Sequence, residues 1–434
     1  MGSCCKRFFS YNNNEEKENT NRKLDNKDSN EKEMQELIEI NSYKFENDEK
    51  YFVYYKSGPN EIDRLKKEFG ENSKIVFIDD LNISENIPVG LENLGGSCYM
   101  NACLQCFFHC KLFSISMLKN KEILQYKNSP IANALVDLIQ GLYLNGKPEN
   151  INGRKINPHS AKKFLEVILT KYPSFKGIFG NDPKSVAELI LIFMQQELIP
   201  NFSFRQDKSI NKCDEETLFE NIYIEYNKNS TPIWENFHFI EKKRSICSEC
   251  IVNKPDRCST YAFKDYHMLS FYISSICQKF DINNCKLSDC FKYYNEPDSE
   301  ENLEFKCFSC NKRVIGKQIL YYMSTLPNYL VICVGKEEDE DLKEYKLIME
   351  MEIDLKNYFE PCKSYNGSME TKYIFHAGVF IRGNETHAIA ICRNFNGTLY
   401  EFNDTKCTKI SDDIDIINKE KPYLLFYRRS DLNI

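Results

Sequence analysis

The order of polar and apolar positions divides the chain into a polar N-terminus, a helical half and a half rich in strands. From Tyr11 to Glu33 the residues are mostly Asn, Glu, Lys and Asp, with almost no apolar side chain. Such a segment cannot bury enough apolar surface to offset the entropy lost on ordering. We therefore predict a disordered tail over residues 1–33 and an N-terminal extension over residues 34–87.

The N-terminal extension combines short segments of both kinds. MQELIEI (34–40) and DRLKKEF (63–69) carry apolar residues at helical spacing, whereas KYFVYY (50–55) and KIVFIDD (74–80) are typical of strands. The extension is therefore predicted to hold mixed short elements.

Two apolar segments of the first half have helical periodicity. The stretch from Ser97 to Cys110 is uncharged and carries Tyr99, Ala102 and Cys106 at helical spacing. It predicts a buried central helix. The segment SVAELILIFMQQEL (185–198) is also rich in apolar residues and is predicted to pack against that helix.

After Phe237 the pattern changes to runs of β-branched and aromatic residues separated by polar turns. These runs predict strands, and they read YAFKDYHMLSFYI, KQILYYM, NYLVICV, KYIFHAGVFI, HAIAICR, TLYEF and YLLFYRR. A helical half followed by a half rich in strands indicates an α+β protein.

Composition and charge restrict the partners and the compartment. The 434 residues are 42% hydrophobic and 28% charged, as in a soluble globular protein. A net charge of −7, without a dense stripe of Lys and Arg, argues against nucleic acid as a partner. The 19 cysteines are spread along the chain without an apolar secretory segment before them, which favours a reducing, cytoplasmic setting. No apolar run is long enough to predict a membrane span.

The first residues, MGSCCKRFF, carry the ingredients of a lipid anchor. Gly2 follows the initiator Met, and Cys4 and Cys5 precede a Lys-Arg pair. Myristoylation of Gly2 with palmitoylation of Cys4 or Cys5 would attach the protein peripherally to a membrane. Lys6 occupies the position where Ser or Thr is preferred, so an unmodified N-terminus is the alternative.

The sharpest chemical signal is VGLENLGGSCYMN (89–101), in which a glycine-rich turn delivers Cys98 to the start of the central helix. Backbone N–H groups and the helix dipole stabilise a thiolate at that position. Gly95 and Gly96 allow a substrate backbone to approach closely. The alternative is a glycine-rich helix cap that carries a buried thiol.

Two C-x-x-C pairs predict a structural zinc site. They are Cys247 with Cys250 and Cys307 with Cys310, and 56 residues separate them. Together they supply the four thiolates of a tetrahedral Zn²⁺ site. The long separation requires a β-excursion that brings the pairs together. The alternative is four reduced thiols in a ribbon that has lost its metal.

The segment VGLENLGGSCYMN resembles the cysteine box of the ubiquitin-specific proteases, and further blocks of that family follow in order. YIFHAGVFIRGNETHAIAICR (373–393) is similar to the histidine box, with Tyr373, Ala377 and Gly383 in place, whereas Thr386 and Ala388 replace the usual glycine and tyrosine around the histidine. The family also has counterparts of three later segments, MSTLPNYLVICVGK (323–336), MEIDLKNYF (351–359) and PYLLFYRR (422–429). The resemblance covers residues from about 88 to the C-terminus.

The resemblance implies the role of five residues. Cys98 corresponds to the nucleophile and His387 to its base, chosen among six histidines. Asn403 corresponds to the residue that orients the imidazole, and Asn93, five residues before Cys98, to the oxyanion-stabilising amide. Asp404 is expected to assist the polar network or oxyanion binding, with a turn-capping role as the alternative.

The resemblance also implies the fold and the activity. Residues 88–434 are expected to form a papain-like cysteine protease fold, with thumb, palm and zinc-ribbon fingers subdomains, the fingers spanning about 237–330. The expected protein is a monomer without an organic cofactor. It would hydrolyse the peptide or isopeptide bond after the C-terminal glycine of ubiquitin, and its expected partners are ubiquitin or ubiquitinated proteins.

Two other functions are consistent with parts of the pattern. Thr386, Ala388 and an eroded family segment near Glu188 favour a catalytically weak or inactive scaffold that binds ubiquitin. A zinc-ribbon interaction module fused to an unrelated domain is disfavoured, because the C-x-x-C pairs lie between the two catalytic boxes.

Overall fold

The structure is a computed structural model, and it describes residues 51–54, 74–77, 89–119, 129–143, 159–175, 182–199, 215–228, 231–247, 259–295, 304–306, 310, 312–335, 345–383 and 386–432. Strands β1 (Tyr51–Tyr54) and β2 (Lys74–Phe77) form a parallel pair within a separate compact unit, Lys6–Ser84. Both strands predicted for the extension are therefore confirmed. The predicted tail and the two predicted helices of the extension lie outside the described residues.

The described helices from residue 89 onward concentrate in the first half of the chain, as the sequence predicts. They are α1 (Cys98–His109), α2 (Lys111–Lys119), α3 (Pro130–Tyr143), α4 (Lys162–Lys171), α5 (Pro183–Glu188), α6 (Met194–Leu198), α7 (Glu215–Lys228), α8 (Pro232–Phe237), α9 (Ile273–Phe280), α10 (Leu287–Tyr294) and α11 (Ile414–Ile417). None of these helices is long and apolar enough to cross a membrane.

The described strands of the second half are β3 (Phe239–Cys247), β4 (Ser259–Tyr266), β5 (Leu269–Tyr272), β6 (Asn284–Lys286), β7 (Glu304–Lys306), β8 (Arg313–Met323), β9 (Tyr329–Gly335), β10 (Lys346–Ile348), β11 (Glu352–Asp354), β12 (Lys372–Arg382), β13 (His387–Arg393), β14 (Leu399–Asn403), β15 (Lys406–Lys409) and β16 (Lys421–Arg429). An eight-stranded sheet has the order β15-β14-β13-β12-β16-β9-β5, with β11 paired to β12. The order β4-β3-β8-β7 forms a four-stranded sheet, and β6 pairs with β10.

The central helix is confirmed, because all twelve residues of α1 are buried. One side of the helix contacts β12 and β13 of the large sheet. There, Cys106 Sγ lies 4.0 Å from Cys392 Sγ of β13. Phe107 packs edge-on against Phe237 and Phe426. This packing holds the N-terminal end of α1 beside the start of β13.

The second predicted helix, residues 185–198, is also present, but a π-helical turn at Leu189–Phe193 separates α5 from α6. The helix starts at Asp182, whose carboxylate accepts hydrogen bonds from the backbone N–H groups of Lys184 and Ser185. Pro183 fits the first turn because a backbone N–H at that position would have no acceptor within the helix, so proline loses no hydrogen bond there. As the sequence predicts, α5 packs against α1.

The region after α8 alternates between the two sheets. The predicted run YAFKDYHMLSFYI divides at His267: β4 belongs to the four-stranded sheet, and β5 pairs in parallel with β9 of the large sheet. Helices α9 and α10 follow and pack on the core of the large sheet. The range of about 237–330, expected to form the fingers, therefore contains the four-stranded sheet together with a segment that joins the large sheet.

Candidate active site

The turn before α1 depends on two glycines with left-handed backbones. Gly95 has φ +87° and Gly96 has φ +82°, values that side chains other than glycine rarely adopt. The turn is closed by the Leu94 backbone N–H, which donates to Ser97 Oγ at 2.9 Å. Cys98 is the first residue of the helix, so its backbone N–H belongs to the helix end that has no internal acceptor.

Cys98 is buried, with 5% of its surface exposed. Burial raises the pKa of its thiol, and the negative charge of Asp404 raises that pKa further. Hydrogen bonds from backbone N–H groups, foremost that of Ala388, stabilise the thiolate and lower the pKa in part. Because the net direction is upward, the helix end alone does not produce a thiolate, and the sulfur needs a base.

His387 and Asn403 form a hydrogen-bonded pair beside Cys98. His387 begins β13, and its Nε2 lies 2.8 Å from Asn403 Oδ1 at the end of β14. An amide oxygen accepts, so Nε2 carries the proton and Nδ1 is left to accept one. The next residue, Ala388, donates its backbone N–H to the Cys98 sulfur. The structure therefore brings the predicted nucleophile, base and orienting residue to one place.

Asp404 joins two amide side chains of the cysteine segment. Its carboxylate accepts from Asn93 Nδ2 at 2.9 Å and from Asn101 Nδ2 at 2.9 Å. Asn93 Oδ1 accepts from the backbone N–H of Gly95 at 3.0 Å. Both ends of the Asn93 amide are therefore held, and the second N–H of Nδ2 remains to donate to an oxyanion.

The backbone around the cysteine segment is anchored to the same corner. The Leu91 backbone N–H donates to the carbonyl oxygen of Asp404 at 2.9 Å. Asp404 itself has φ +50°, a left-handed conformation that Asp and Asn tolerate better than most residues. At Gly90 a Cβ would lie 2.4 Å from the same carbonyl oxygen, so this close approach requires glycine.

The two departures from the family pattern have different structural consequences. Thr386 donates both its backbone N–H and its hydroxyl to the carbonyl oxygen of Gly383, at 3.1 and 2.5 Å, and so closes the hairpin before His387. Gly383 has φ +60°, which suits this turn. Ala388 acts on Cys98 through its backbone, so the loss of a tyrosine side chain leaves that hydrogen bond intact.

Four of the other five histidines are buried, namely His109, His238, His267 and His376. Burial lowers the pKa of His109 to about 4 and of His267 and His376 to about 3, so these imidazoles are neutral at pH 7. His238 stacks on Trp234 with ring centroids 4.5 Å apart. The burial of these rings agrees with packing roles, and the predicted base, His387, is the histidine that lies beside Cys98.

Two of the predicted zinc ligands lie close together. Cys247 Sγ at the end of β3 is 3.9 Å from Cys310 Sγ, which precedes β8. Four thiolates around Zn²⁺ at about 2.3 Å give a sulfur–sulfur distance of about 3.8 Å, so the pair fits one edge of such a site. Cys250 and Cys307 lie outside the described residues, as do Gly2, Cys4 and Cys5. Within the described part of the chain, no three candidate ligands are grouped.

Sequence reasoning missed Asn101, which holds the Asp404 carboxylate and also donates to the carbonyl oxygen of Glu92 at 3.1 Å. A polar residue in a largely apolar buried helix, three residues after the predicted nucleophile, was the available signal. Asn101 lies about one helical turn after Cys98. Because helical side chains tilt toward the N-terminus, its side chain is directed toward the turn that precedes Cys98.

A thiol, an imidazole oriented by an amide, and a fixed amide donor are the parts that acyl transfer by a cysteine hydrolase requires. A model of the family described as "Ubiquitin carboxyl-terminal hydrolase" matches residues 89–427. The match covers most of the chain and includes every residue of this site. The chain belongs to the ubiquitin carboxyl-terminal hydrolase family.

Two of the similar proteins come from yeasts. The chain is 25% identical over 403 residues to probable ubiquitin carboxyl-terminal hydrolase 4 of Schizosaccharomyces pombe, covering 85% of this chain and 63% of that protein. It is 22% identical over 372 residues to ubiquitin carboxyl-terminal hydrolase 8 of Saccharomyces cerevisiae, covering 79% of this chain and 71% of that protein. The chain thus spans somewhat less than two thirds of the length of the S. pombe relative.

Solved structures support the fold. A chain in the SAGA DUB module of Ubp8, Sgf11, Sus1 and Sgf73 bound to ubiquitin aldehyde superposes with a TM-score of 0.55 at 19% identity, covering 87% of this chain and 77% of that chain. A chain in the same module with a single-residue variant of Ubp8, bound to monoubiquitin, gives a TM-score of 0.56 at 18% identity, covering 87% and 77%. The α+β, papain-like fold expected from the sequence is therefore confirmed.

Proposed function

We propose that the protein is a deubiquitinating cysteine protease, which hydrolyses the peptide or isopeptide bond after the C-terminal glycine of ubiquitin. The observation that carries this proposal is the His387–Asn403 hydrogen bond beside the Cys98 thiol. Membership of the ubiquitin carboxyl-terminal hydrolase family and the ubiquitin bound in similar modules support ubiquitin as the substrate.

The geometry suits an acyl-transfer sequence. His387 Nδ1 takes the Cys98 proton as the sulfur attacks the glycine carbonyl carbon, and the carbonyl oxygen becomes an oxyanion. Asn93 Nδ2 and the Cys98 backbone N–H donate to this oxyanion. The imidazolium then protonates the leaving amine, and water hydrolyses the thioester with His387 as base. Asn403 keeps the imidazole in the required tautomer throughout.

A catalytically weak scaffold that binds ubiquitin is the second candidate function. Two observations favour it: the raised pKa of the Cys98 thiol, and Thr386 in place of the usual glycine before His387. A β-branched residue there leaves less clearance for a substrate backbone than glycine does.

The two functions separate in one experiment. The protein is mixed with ubiquitin carrying a C-terminal electrophile, and separately with a ubiquitin–fluorophore amide. An enzyme forms a covalent adduct at Cys98 and releases the fluorophore, whereas a scaffold binds ubiquitin and does neither. Failure to bind ubiquitin at all would contradict both functions. Parallel probes built on ubiquitin-like modifiers test the choice of substrate.

We also propose that Cys247, Cys250, Cys307 and Cys310 hold one structural Zn²⁺ at the end of the four-stranded sheet. The ion would tie the loop after β3 to the loop before β8. The 3.9 Å separation of Cys247 Sγ and Cys310 Sγ supports this proposal.

Purified protein is expected to carry about one Zn²⁺ per chain by elemental analysis. Cys310→Ser should lower the zinc content and the thermal midpoint, because a structural site contributes its binding free energy to folding. Cys407→Ser is the matched control, since Cys407 is a partly exposed thiol on β15, far along the chain from both pairs. Zinc-free protein that was never exposed to a chelator would contradict the proposal.

Attachment to a membrane through Gly2, Cys4 and Cys5 remains a proposal from the sequence. Gly2→Ala should then move the protein from the membrane fraction to the supernatant. A wild-type protein found entirely in the supernatant would contradict the anchor and favour a simple cytoplasmic location.

A further inference from the structure

Arg382, the last residue of β12, binds two carboxylates at once. Its Nη1 and Nη2 donate to Glu401 Oε1 and Oε2, each at 3.0 Å, in a bidentate pair. On its other side, Nε donates to Glu420 Oε2 at 2.8 Å, and Nη2 also donates to Glu420. The three side chains are 32%, 23% and 20% exposed, so water screens the group only in part. We call Arg382, Glu401 and Glu420 the Arg382 clamp.

The strand register places the Arg382 clamp on the face of the catalytic pair. Arg382 is the cross-strand partner of His387, and directly paired side chains of antiparallel strands share a face. Glu401 lies two residues before Asn403 on β14, so these two side chains also share a face.

The Arg382 clamp spans the strand that carries the histidine. In the sheet order, β13 lies between β12 and β14. To reach Glu401, the Arg382 side chain must therefore cross β13. The His387–Asn403 hydrogen bond joins β13 to β14 two residues further along β14. Glu420 precedes β16, the neighbour of β12 on the other side. The clamp thus ties the middle of β14, on one side of β13, to the end of β12 and the start of β16 on the other side.

The catalytic pair needs such support, because both members lie at strand ends. His387 is the first residue of β13 and Asn403 is the last of β14. Ends of strands open more easily than their centres, and catalytic groups tolerate displacements of only about 0.5 Å. Asparagine is uncharged, so it orients the imidazole by hydrogen-bond geometry alone, and its position must come from the backbone.

We propose that Arg382 is a positioning residue, which acts with Glu401 and Glu420 to fix β14 relative to the end of β12 and the start of β16, so that Asn403 keeps His387 aligned with Cys98. This inference rests on the proposed function and assigns Arg382 no contact with substrate. A lysine could neutralise the carboxylates, but it lacks the planar fork that fixes two of them in one geometry.

The chain offers a matched control at the far end of β13, the strand that begins with His387. Arg393, the last residue of β13, forms a bidentate pair with Asp412, both distances being 2.8 Å. This pair has similar chemistry on the same sheet, but five residues separate Arg393 from His387. A general contribution of arginine pairs to stability would affect both sites, whereas positioning of the catalytic pair would affect only Arg382.

The test measures kcat and KM for a ubiquitin–fluorophore amide, together with the thermal midpoint, for Arg382→Met, Arg382→Lys and Arg393→Met. Arg382→Met should lower kcat about tenfold with little change in KM, and Arg382→Lys should fall between it and wild type. Arg393→Met should retain the wild-type kcat. If Arg382→Met does not fold, Glu401→Gln replaces it, because this variant keeps the side-chain shape and removes one charge of the clamp.

A double variant distinguishes positioning from a general structural role. If Arg382 acts through Asn403, adding Arg382→Met to Asn403→Ala should cause no further loss of kcat, because the contact it supports is already gone. The proposal would be overturned by any of three results: losses of kcat that add in full in the double variant, an unchanged kcat in Arg382→Met, or an equal loss of kcat in Arg393→Met.

A readout without ubiquitin separates this inference from the proposed function. Alkylation of Cys98 by iodoacetamide, followed by mass spectrometry of its peptide, reports on the His387–Cys98 pair directly. If wild-type protein cleaves no ubiquitin amide, the proposed function fails, and the Arg382 clamp is then judged on alkylation. Slower alkylation in Arg382→Met than in Arg393→Met supports the clamp, and equal rates overturn it.

Discussion

Cys98→Ala protein should neither release fluorophore from a ubiquitin amide nor form an adduct with an electrophilic ubiquitin, yet it should still bind ubiquitin. Alanine removes the only atom that attacks the carbonyl, and it fits the buried site because it is smaller than cysteine. Turnover is therefore expected to fall by about 10⁶-fold, to the level of background hydrolysis. Adduct formation by the Cys98→Ala protein would mean that another cysteine is the nucleophile.

His387→Ala should be nearly as damaging, and its residual activity should depend on pH in a defined direction. Burial and the Asp404 charge raise the pKa of the Cys98 thiol, so without a base the sulfur stays protonated near neutrality. Thiolate appears only as the pH rises toward this raised pKa, by about tenfold for each pH unit below it. Adduct formation by His387→Ala should therefore rise by about tenfold for each pH unit from neutrality upward, and the dependence is measured from initial rates with the electrophilic ubiquitin. A flat profile would show that the thiolate forms without His387.

The helical half and the strands of the large sheet could be predicted from the sequence, because their patterns are local. The uncharged stretch after Gly96 predicted α1, which the structure buries completely. By contrast, α9 and α10 were missed, since eight residues give too few turns for a clear helical period. The change of sheet between β4 and β5 was missed for a related reason: the aromatic run continues across it, while only the partner strands differ.

The candidate site was predicted less directly than the fold. Cys98 stood out because a glycine-rich turn before an apolar helix has chemical meaning, but His387 and Asn403 were assigned through the family's motif order. Their proximity to Cys98 depends on the pairing of β13 with β14 and the packing of α1 on that sheet. Contacts of this kind join residues far apart in the chain and leave no periodic signal in the sequence.

The same limit explains why polar support for the site was incompletely predicted. The hydrogen bond between Asn93 and Asp404 joins residues 311 positions apart. Arg382 could be recognised only after β13 was found between β12 and β14. From the sequence alone, Asp404 had a turn-capping role as its alternative. Its carboxylate accepts hydrogen bonds from two side-chain amides. These bonds favour the expected part of Asp404 in the polar network around the oxyanion.

Asn93→Ala is expected to lower kcat by about a hundredfold or more while the affinity for ubiquitin changes little. The amide contributes only when negative charge develops on the carbonyl oxygen, so its loss affects the transition state and not the bound ground state. Comparing kcat with the dissociation constant of ubiquitin checks this separation. Asn403→Ala should also lower kcat, because His387 loses the partner of its Nε2.

Asp404→Asn tests whether the carboxylate acts through Asn93. Asparagine tolerates the positive φ at this position, whereas alanine would add backbone strain. The variant loses one of the two carboxylate acceptors, so the Asn93 amide should loosen and kcat should fall. Removal of the negative charge should at the same time lower the pKa of the Cys98 thiol and speed its alkylation. Faster alkylation combined with slower turnover is therefore the expected pair of results.

The combination of Asn93→Ala with Asp404→Asn completes this test. If Asp404 serves mainly to hold the Asn93 amide, the double variant should be little worse than Asn93→Ala alone. Full addition of the two losses would show that Asp404 acts independently of Asn93. If Asp404→Asn is far more damaging than Asn403→Ala while both proteins remain folded, then Asp404 would be the residue on which His387 depends. That result would contradict the assignment made from the 2.8 Å contact between His387 Nε2 and Asn403 Oδ1.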